Sequence, residues 1–594
     1  MAPYLPAQDT PDTQNAPITV QFPQENMTVP VGAQNVYLFG KLHLKNATLE
    51  INGQNVSVHP NGTFIAYLPV EQGEFSFVLT ARAEGGVYQA VRHITVPGEP
   101  IKNFEQKARF DAEQIYPSSP VWAIPGDVLN LFARGTPGAD VKAELHGLKG
   151  GKNISMKETP RWPGMYRAKY LVRETEKPRT AKVTYRLRDP KTKTKANISA
   201  KERVKILDTE KPLLPAAIQE PGVKLRQMAV RQGSLYPHYH AFGNTLINGR
   251  DNGLFRLHLA EGQNAWLEEK KIKILPVSSY QNNTLFSLNA QTEELRTVVR
   301  WRGDRQVPVS VNEFNNRLEV SFYHTPVFEE SFSIDATSPV LDRIEWIQEP
   351  NGVIQFILYL KNAKELWGHA YRYEGNDFIL ELKHRPKITP SKDKPLLGAR
   401  ILLDAGHSPH RKPPYDGLVS PSGILEYEAN LALAETLKPK LEAAGAVVIM
   451  TRQGQNHMTL SQRYETALQK NAHIFVSLHH NALPETSNPM AAPRGYSVYY
   501  TYPHSFPLAE SVYRSFNKRI PLPDNGLIAN NVLFIPRISE IPSILVENAY
   551  MILPEQEELV MSDKGREMFA DALYRGILHF YNANEPPMAK RAKK

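Results

Sequence analysis

The feature that most constrains the fold is a change of hydrophobic pattern at a short linker, residues 385–395, which is rich in proline and lysine and has no apolar period. Before the linker, short runs of alternating apolar and polar residues are separated by Asn-Gly and Pro-Gly turn pairs, which predicts hairpin-rich β-domains. After it, apolar strands alternate with amphipathic helices. The sequence therefore predicts a multidomain fold class, in which all-β modules precede an α/β domain with a mostly parallel sheet.

Turn signals and pattern divide the chain of 594 residues further, and a chain of this length is expected to build several separate cores. The two N-terminal β-domains resemble immunoglobulin-like sandwiches in their pattern. The predicted segments are a flexible N-terminus (1–16), an immunoglobulin-like β-domain (17–98), a second one (105–208), an SH3-like β-domain (211–275), a β-rich domain (278–384), the linker (385–395), the α/β domain (396–584) and a basic tail (585–594).

Composition excludes several classes of site and partner. The chain has no cysteine, so disulfides and thiolate metal sites are excluded. The net charge of +9 is a mild bias, and without a dense basic and aromatic stripe we expect no nucleic-acid partner. No apolar run approaches the roughly 20 residues of a membrane span, so no transmembrane segment is expected in this sequence. The first residues do not resemble a signal peptide, and we expect that such a signal has been removed.

Four residues carry the chemistry of the α/β domain: His407 in LLDAGHS, Glu426 in SGILEYEAN, His479 in FVSLHHNA and Glu547 in ILVENAY. His407, His479 and Glu547 each stand at the end of an apolar run, and Glu426 lies at the start of a predicted helix. Open α/β sheets bind ligands at the edge where such runs end. Two imidazoles and one carboxylate form a catalytic zinc set that leaves one position open for water, and a further carboxylate can move protons. Taken singly, each residue has an ordinary alternative, such as a structural histidine or a glutamate favoured at a helix N-terminus.

Five separated segments together resemble one family. LLDAGHS, GILEYEANLALA, VVIMTR, FVSLHHNA and LVENAY follow in the order and approximate spacing of type 3, zinc-dependent N-acetylmuramoyl-L-alanine amidases, over residues 399–581. The resemblance implies one Zn²⁺ per catalytic domain, held by His407, Glu426 and His479, with Glu547 as the catalytic acid and base. The family pattern S-x-H-x-N selects His479 over its neighbour His480 as the ligand.

Other positions of the resemblance suggest substrate contacts. We assign Arg452, Asn481 and His480 to substrate binding, although a salt bridge explains Arg452 about as well. His407 is followed by Ser408 and Pro409 where the family commonly has a second glycine, which leaves the sugar or peptide preference open. Only LPETSNPMAAPR separates Ala482 from Gly495, too short for the helical plug of some relatives. We therefore expect a site that is open without an activator.

The expected function is that of a peptidoglycan hydrolase that cleaves the amide between the lactyl group of N-acetylmuramic acid and L-alanine of the stem peptide. Two alternatives remain: a zinc peptidase on peptide crosslinks or other amides, and a catalytically idle scaffold that binds the cell wall. Residues 278–384 resemble wall-targeting modules. Peptidoglycan, and cell-envelope proteins bound through the β-domains, are the expected partners, and the expected location is periplasmic or extracellular, associated with the cell wall.

Overall fold

The computed structural model describes residues 16–97, 107–160, 162–208, 213–220, 223–230, 235–279, 281–349, 351–410, 412–413 and 415–581. The predicted basic tail, and the predicted flexible N-terminus except for residue 16, lie outside the described residues. The chain forms two compact units. The first combines residues up to 99 with residues from 386 onward, and the second comprises residues 100–385.

The first unit begins with a β-domain of two sheets, in the strand orders β1-β3-β6 and β2-β8-β7-β4-β5. Its core includes Leu38, Phe64 and Phe77, all almost fully buried. Strand β3 is buried on both faces, which is unusual for a strand of a small antiparallel sheet and requires a cover on its outer side. The strands are β1 (Ile18–Phe22), β2 (Met27–Thr28), β3 (Asn35–Leu42), β4 (Thr48–Ile51), β5 (Gln54–Val56), β6 (Thr63–Pro69), β7 (Gly73–Ala83) and β8 (Gly86–Val96).

The second unit consists of strands and short 3₁₀ turns within its described residues. One five-stranded sheet has the order β28-β24-β25-β32-β31, and the remaining strands form a continuous hydrogen-bonded network. Its strands are β9 (Phe110–Ile115), β10 (Val121–Ala123), β11 (Val128–Gly135), β12 (Asp140–Leu145), β13 (Ile154–Thr159), β14 (Trp162–Leu171), β15 (Arg179–Arg188), β16 (Lys195–Ile206), β17 (Leu214–Ile218), β18 (Val223–Arg226), β19 (Leu235–Ala241), β20 (Asn244–Asp251), β21 (Leu254–Ala260), β22 (Gln263–Glu268), β23 (Ile272–Ile274), β24 (Thr284–Thr292), β25 (Arg296–Gly303), β26 (Val309–Glu313), β27 (Arg317–Phe322), β28 (Val327–Ile334), β29 (Leu341–Glu349), β30 (Val353–Leu360), β31 (Leu366–Glu374) and β32 (Asp377–His384).

The α/β region completes the first unit around a six-stranded sheet of order β34-β33-β35-β38-β36-β37. All neighbours in this sheet are parallel except β36 and β38. The elements are β33 (Arg400–Ala405), α1 (Glu426–Ala443), β34 (Val447–Met450), α2 (Leu460–Gln469), β35 (Ile474–His479), β36 (Tyr496–Tyr500), α3 (Phe506–Arg519), β37 (Asp524–Ala529), β38 (Ser543–Glu547), α4 (Pro554–Met561) and α5 (Asp563–Phe580).

The prediction of a multidomain chain with β-rich modules in front is confirmed by these elements. Residues between β32 and β33 form neither helix nor strand. Across the described residues, no helix has both the length and the apolar character that a membrane span requires. Strands β33, β35 and β38 are adjacent and parallel, so the residues at their carboxyl ends meet at one edge of the sheet.

Candidate metal centre

The three predicted ligands, His407, Glu426 and His479, meet at this edge. Nε2 of His407 lies 3.1 Å from Oε2 of Glu426, and Nδ1 of His479 lies 3.3 Å from Oε1 of the same carboxylate. The two imidazole rings meet edge to face with their centroids 4.7 Å apart. One ligand atom from each residue can be chosen so that all three lie within 4.8 Å of one another. Side chains from a loop, a helix and a strand thus converge on one small volume.

Local structure explains each position. His407 stands in the loop after β33 with a left-handed backbone (φ 61°), a conformation that is uncommon for residues other than glycine. Glu426 is the first residue of α1, and His479 is the last residue of β35. Parallel pairing of β33 with β35 brings the loop of His407 beside the end of the strand that carries His479.

Glu426 is held as an anion. Its side chain is buried, and its oxygens accept hydrogen bonds from the backbone N–H groups of His480 (3.0 Å) and Leu418 (3.2 Å) and from Nδ2 of Asn430 (3.3 Å). Burial alone would raise the pKa of Glu426, but the two neighbouring imidazoles lower it well below its usual value. The carboxylate is therefore ready to bind a cation.

Asp416 orients His407. One carboxylate oxygen lies 2.8 Å from Nδ1 of His407, and the other accepts the backbone N–H of Ser408 at 2.9 Å. An imidazole that donates from Nδ1 keeps the lone pair of Nε2, the atom nearest Glu426, for a metal. Burial lowers the pKa of His407, but Glu426 and Asp416 outweigh this effect and raise it to about 10, so the cluster strongly favours a positive charge. Sequence pattern does not predict the role of Asp416, because this residue lies in an irregular loop where no periodicity marks it.

We expect Asp416→Asn to weaken zinc binding by about 10- to 100-fold, because the neutral amide no longer orients and polarises His407. Zinc affinity is measured by competition with a chromophoric chelator. Asp563→Asn is the matched control, since Asp563 is exposed and lies in the first turn of α5. Equal affinities for the two variants would contradict this role of Asp416.

Glu547 lies beside the cluster but outside the ligand set. It pairs with His479 in the register of β35 and β38, and with Ser497 on β36. Its Oε2 atom is buried and has no hydrogen-bond partner among the described residues. Burial and the nearby charge of Glu426 raise the pKa of Glu547 to about 8, although His407 acts in the opposite direction. The carboxyl group is thus suited to exchange a proton near neutral pH.

Two glycines give the ligands room. A Cβ atom on Gly406 would overlap the imidazole of His479. A Cβ atom on Gly417, whose φ is +94°, would lie 2.8 Å from Oε2 of Glu426 and 2.9 Å from the ring of His407. The backbone therefore forms part of the wall of the site at both positions.

Arg452, one of the three predicted substrate contacts, is buried and bound to backbone carbonyls. Its side chain is 2% exposed, and its guanidinium donates to the backbone carbonyls of Ala405 (2.9 Å) and Gly406 (3.2 Å) and to that of Tyr427. Arg463 donates to the carbonyl of His407 at 2.6 Å. The two arginines thus hold the loop that carries His407.

His480 and Asn481, the other two predicted substrate contacts, differ in position. His480 is buried, its Nδ1 lies 2.8 Å from Oδ1 of Asn430, and burial lowers its pKa to about 4, which argues for a structural role. Asn481 is partly buried, and its Nδ2 atom has no hydrogen-bond partner among the described residues. Nε2 of His480 is likewise buried without a hydrogen-bond partner among the described residues, so the difference is that Asn481 is partly exposed whereas Arg452 and His480 are buried.

The donor set fits zinc. Two imidazoles and one carboxylate lie close enough to share an ion, the carboxylate is ionised, and one histidine is oriented by a second carboxylate. Three protein ligands leave one coordination position open, as in catalytic zinc sites.

The segment that contains this site is similar to known proteins. Residues 401–579 match the family model described as N-acetylmuramoyl-L-alanine amidase. The chain is 26% identical over 195 residues to N-acetylmuramoyl-L-alanine amidase LytC of Bacillus subtilis (strain 168), which covers 33% of this chain and 38% of the relative. It is 28% identical over 189 residues to the probable cell wall amidase LytH of Staphylococcus epidermidis, covering 32% of this chain and 60% of the relative.

Among solved structures, N-acetylmuramoyl-L-alanine amidase AmiC2 of Nostoc punctiforme aligns at 28% identity over 31% of this chain and 97% of that chain, with a TM-score of 0.28. The chain spans less than two thirds of the length of LytC and of LytH. The resemblance predicted from five sequence segments is confirmed for residues 401–579, which match the N-acetylmuramoyl-L-alanine amidase family.

Proposed function

We propose that this protein hydrolyses the amide between the lactyl group of N-acetylmuramic acid and L-alanine of the stem peptide. The observation that carries the proposal is the cluster of His407, Glu426 and His479 with Glu547 beside it, within residues that match the amidase family. The cluster supplies metal ligands and a separate carboxyl group, which amide hydrolysis by a metal-activated water requires.

Zinc would be held by His407, Glu426 and His479. When bound, it supplies a Lewis acid that polarises the amide carbonyl and lowers the pKa of water. The chain's own residues set the conditions for this chemistry. Glu426 contributes the negative charge, and Asp416 fixes the tautomer of His407, while Arg452 and Arg463 hold the loop of His407 through its backbone carbonyls.

Glu547 is the proposed proton carrier. Its carboxylate takes a proton from the attacking water and delivers it to the leaving nitrogen of L-alanine, which must be protonated for the bond to break. Its raised pKa supports both steps near neutral pH, since the group then holds and releases a proton with similar ease. Asn481 is the proposed substrate contact, because it is partly exposed whereas Arg452 and His480 are buried, and its side-chain amide can both donate and accept hydrogen bonds.

We also propose that the protein acts at the cell wall, in the periplasm or outside the cell, with peptidoglycan as its partner. The names of the relatives, an N-acetylmuramoyl-L-alanine amidase and a probable cell wall amidase, support this location. The immunoglobulin-like, SH3-like and wall-targeting assignments of the β-domains remain proposals, as does the binding of cell-envelope proteins by these domains.

The test is digestion of purified peptidoglycan by the zinc-loaded protein, with products identified by mass spectrometry. We expect intact stem peptides that begin with L-alanine, released without an activator and not released after chelation of the metal. Peptides cut at another bond would instead support a zinc peptidase. Absence of metal-dependent release from accessible substrate would support the scaffold and contradict the proposal.

A further inference from the structure

A cavity of about 500 Å³ lies between the N-terminal β-domain and the loops beside the metal centre. Both parts belong to the same compact unit. The residues that matter for its chemistry are Phe22, Tyr37 and Phe39 from the β-domain and Tyr415, Gly417 and Glu485 from the α/β region.

The β-domain is docked by a specific interface. Strand β3 directs Val36 and Leu38 into its own core, whereas Tyr37 and Phe39 pack in a cluster with Tyr427 of α1. The hydroxyl of Tyr37 donates to the carbonyl of Leu483 at 2.8 Å. Likewise, the hydroxyl of Tyr67 donates to the carbonyl of Thr486 at 2.8 Å. The β-domain thus holds the loop that follows His479, so it forms a fixed wall beside the site.

The cavity borders the metal centre at Gly417 and Leu418, both of which line it, and the backbone N–H of Leu418 donates to Glu426 at 3.2 Å. Gly417 lines the cavity, and a Cβ atom added to it would approach both Glu426 and the ring of His407 within 3 Å. A group next to a reacting bond that lies over the metal ligands can therefore extend into the cavity.

The lining favours a neutral ring with apolar faces. Phe22 stacks on Tyr37 with ring centroids 4.8 Å apart, and on Phe39 with centroids 5.6 Å apart. Aromatic walls with few polar groups suit the C–H faces of a pyranose and the methyl of an acetamido group. Among the described residues that line the cavity, Glu485 is charged and none is cationic. A stem peptide, which carries carboxylates of its own, is therefore disfavoured there.

We propose that this cavity binds an N-acetylated sugar of the glycan strand, adjacent to the muramoyl residue whose lactyl amide is cleaved, and that the β-domain supplies its aromatic wall. This subsite rests on the proposed function. With a sugar bound there, the β-domain of residues 16–97 forms part of the substrate cleft.

The test uses isothermal titration of the full-length, zinc-loaded protein with a tetramer of N-acetylglucosamine, which has no lactyl amide, so that binding is measured without turnover. We expect Phe22→Ala and Tyr415→Ala to weaken binding at least about tenfold, as loss of a buried aromatic contact does. Phe22→Tyr should retain binding because it keeps the ring. Tyr88→Ala is the matched control, since Tyr88 is a partly buried aromatic of the same β-domain that does not line the cavity.

A second measurement distinguishes loss of a contact in this subsite from misfolding of the variant. The zinc affinity of Phe22→Ala should equal that of Tyr88→Ala. For long glycan strands, the factor by which Phe22→Ala raises KM should be about tenfold larger than the factor by which it lowers kcat. No tetramer binding by the unmodified protein, or equal binding by Phe22→Ala, overturns the subsite. Products cut at another bond would overturn the proposed function instead, and that result is read by mass spectrometry, separately from the titration.

Discussion

Glu547→Gln is expected to lower the rate of peptide release by about 10²- to 10⁴-fold, the range that loss of a general acid and base costs. The same substitution should make the metal-free protein more stable at pH 8. Both effects have one cause: the carboxyl group sits where its charge is poorly solvated, beside Glu426, and glutamine has the same shape without the charge.

The sign of the pH dependence follows from the raised pKa. Glu547 titrates near its ordinary value in the unfolded chain and at about 8 in the folded, metal-free protein. The folded state therefore binds more protons between these two values, and its stability falls as the pH rises through this window. Removing the carboxyl group should thus stabilise the protein at pH 8 by on the order of 2–4 kcal/mol and have no such effect below pH 4.

Urea unfolding in the presence of a chelator, at pH 4 and at pH 8, measures this difference, and mass spectrometry of released peptides measures activity. Glu567→Gln is the control, because Glu567 is exposed on α5 and pairs with Lys440 across the surface. A Glu547→Gln variant that is active would contradict the role of Glu547 as the proton carrier. A variant whose stability relative to the unmodified protein is the same at both pH values would contradict the raised pKa of Glu547.

Gly406→Ala is expected to reduce zinc affinity by more than about 100-fold and to abolish hydrolysis, because a ligand must be held within about 0.5 Å of its working position. The added methyl would overlap the imidazole of His479, which has to leave its place. Backbone movement offers no relief, since the carbonyl of Gly406 accepts from Arg452 and its N–H donates to the carbonyl of Leu478.

Competition with a chromophoric chelator measures the zinc affinity of the Gly406→Ala variant. Gly454→Ala is the matched control: it has open space around the new Cβ atom, so it should keep its zinc affinity even though its positive φ makes the substitution strained. Zinc binding by Gly406→Ala at the level of the control would show that His479 is not a ligand.

The cluster itself could be predicted because its residues end apolar runs. A buried strand is recognisable in the sequence as such an apolar run, and parallel strands end at the same edge of a sheet. The sequence alone therefore predicts that His407, His479 and Glu547 lie close together, as they do at the ends of the paired strands. The role of Asp416 could not be predicted, because the loop that brings it to His407 has no period to read. The substrate contact of Arg452 stays a prediction, because sequence pattern does not distinguish a guanidinium that binds substrate from one that, like Arg452, donates to a backbone carbonyl.

One feature of the sequence, the pattern of strand β3, reflects the packing of the β-domain on the α/β region. Strand β3, NVYLFGKL, is apolar on both faces, although a strand at the surface of a small sandwich should alternate. The aromatic side chains of Tyr37 and Phe39 on the outer face must therefore be buried against another segment of the protein. What covers them lies more than 300 positions away in the sequence, and hydrophobic pattern carries no information about pairing at that range.

Because its first compact unit is built from both ends of the sequence, this protein meets an unusual problem during synthesis. Residues 16–97 leave the ribosome long before residues 386–581 exist, and domains generally fold in the order in which they emerge. The aromatic outer face of β3 then stays exposed to solvent while the whole intervening unit, residues 100–385, is translated. At about 5–20 residues per second that wait lasts many seconds, a period in which exposed apolar surface invites chaperones or aggregation.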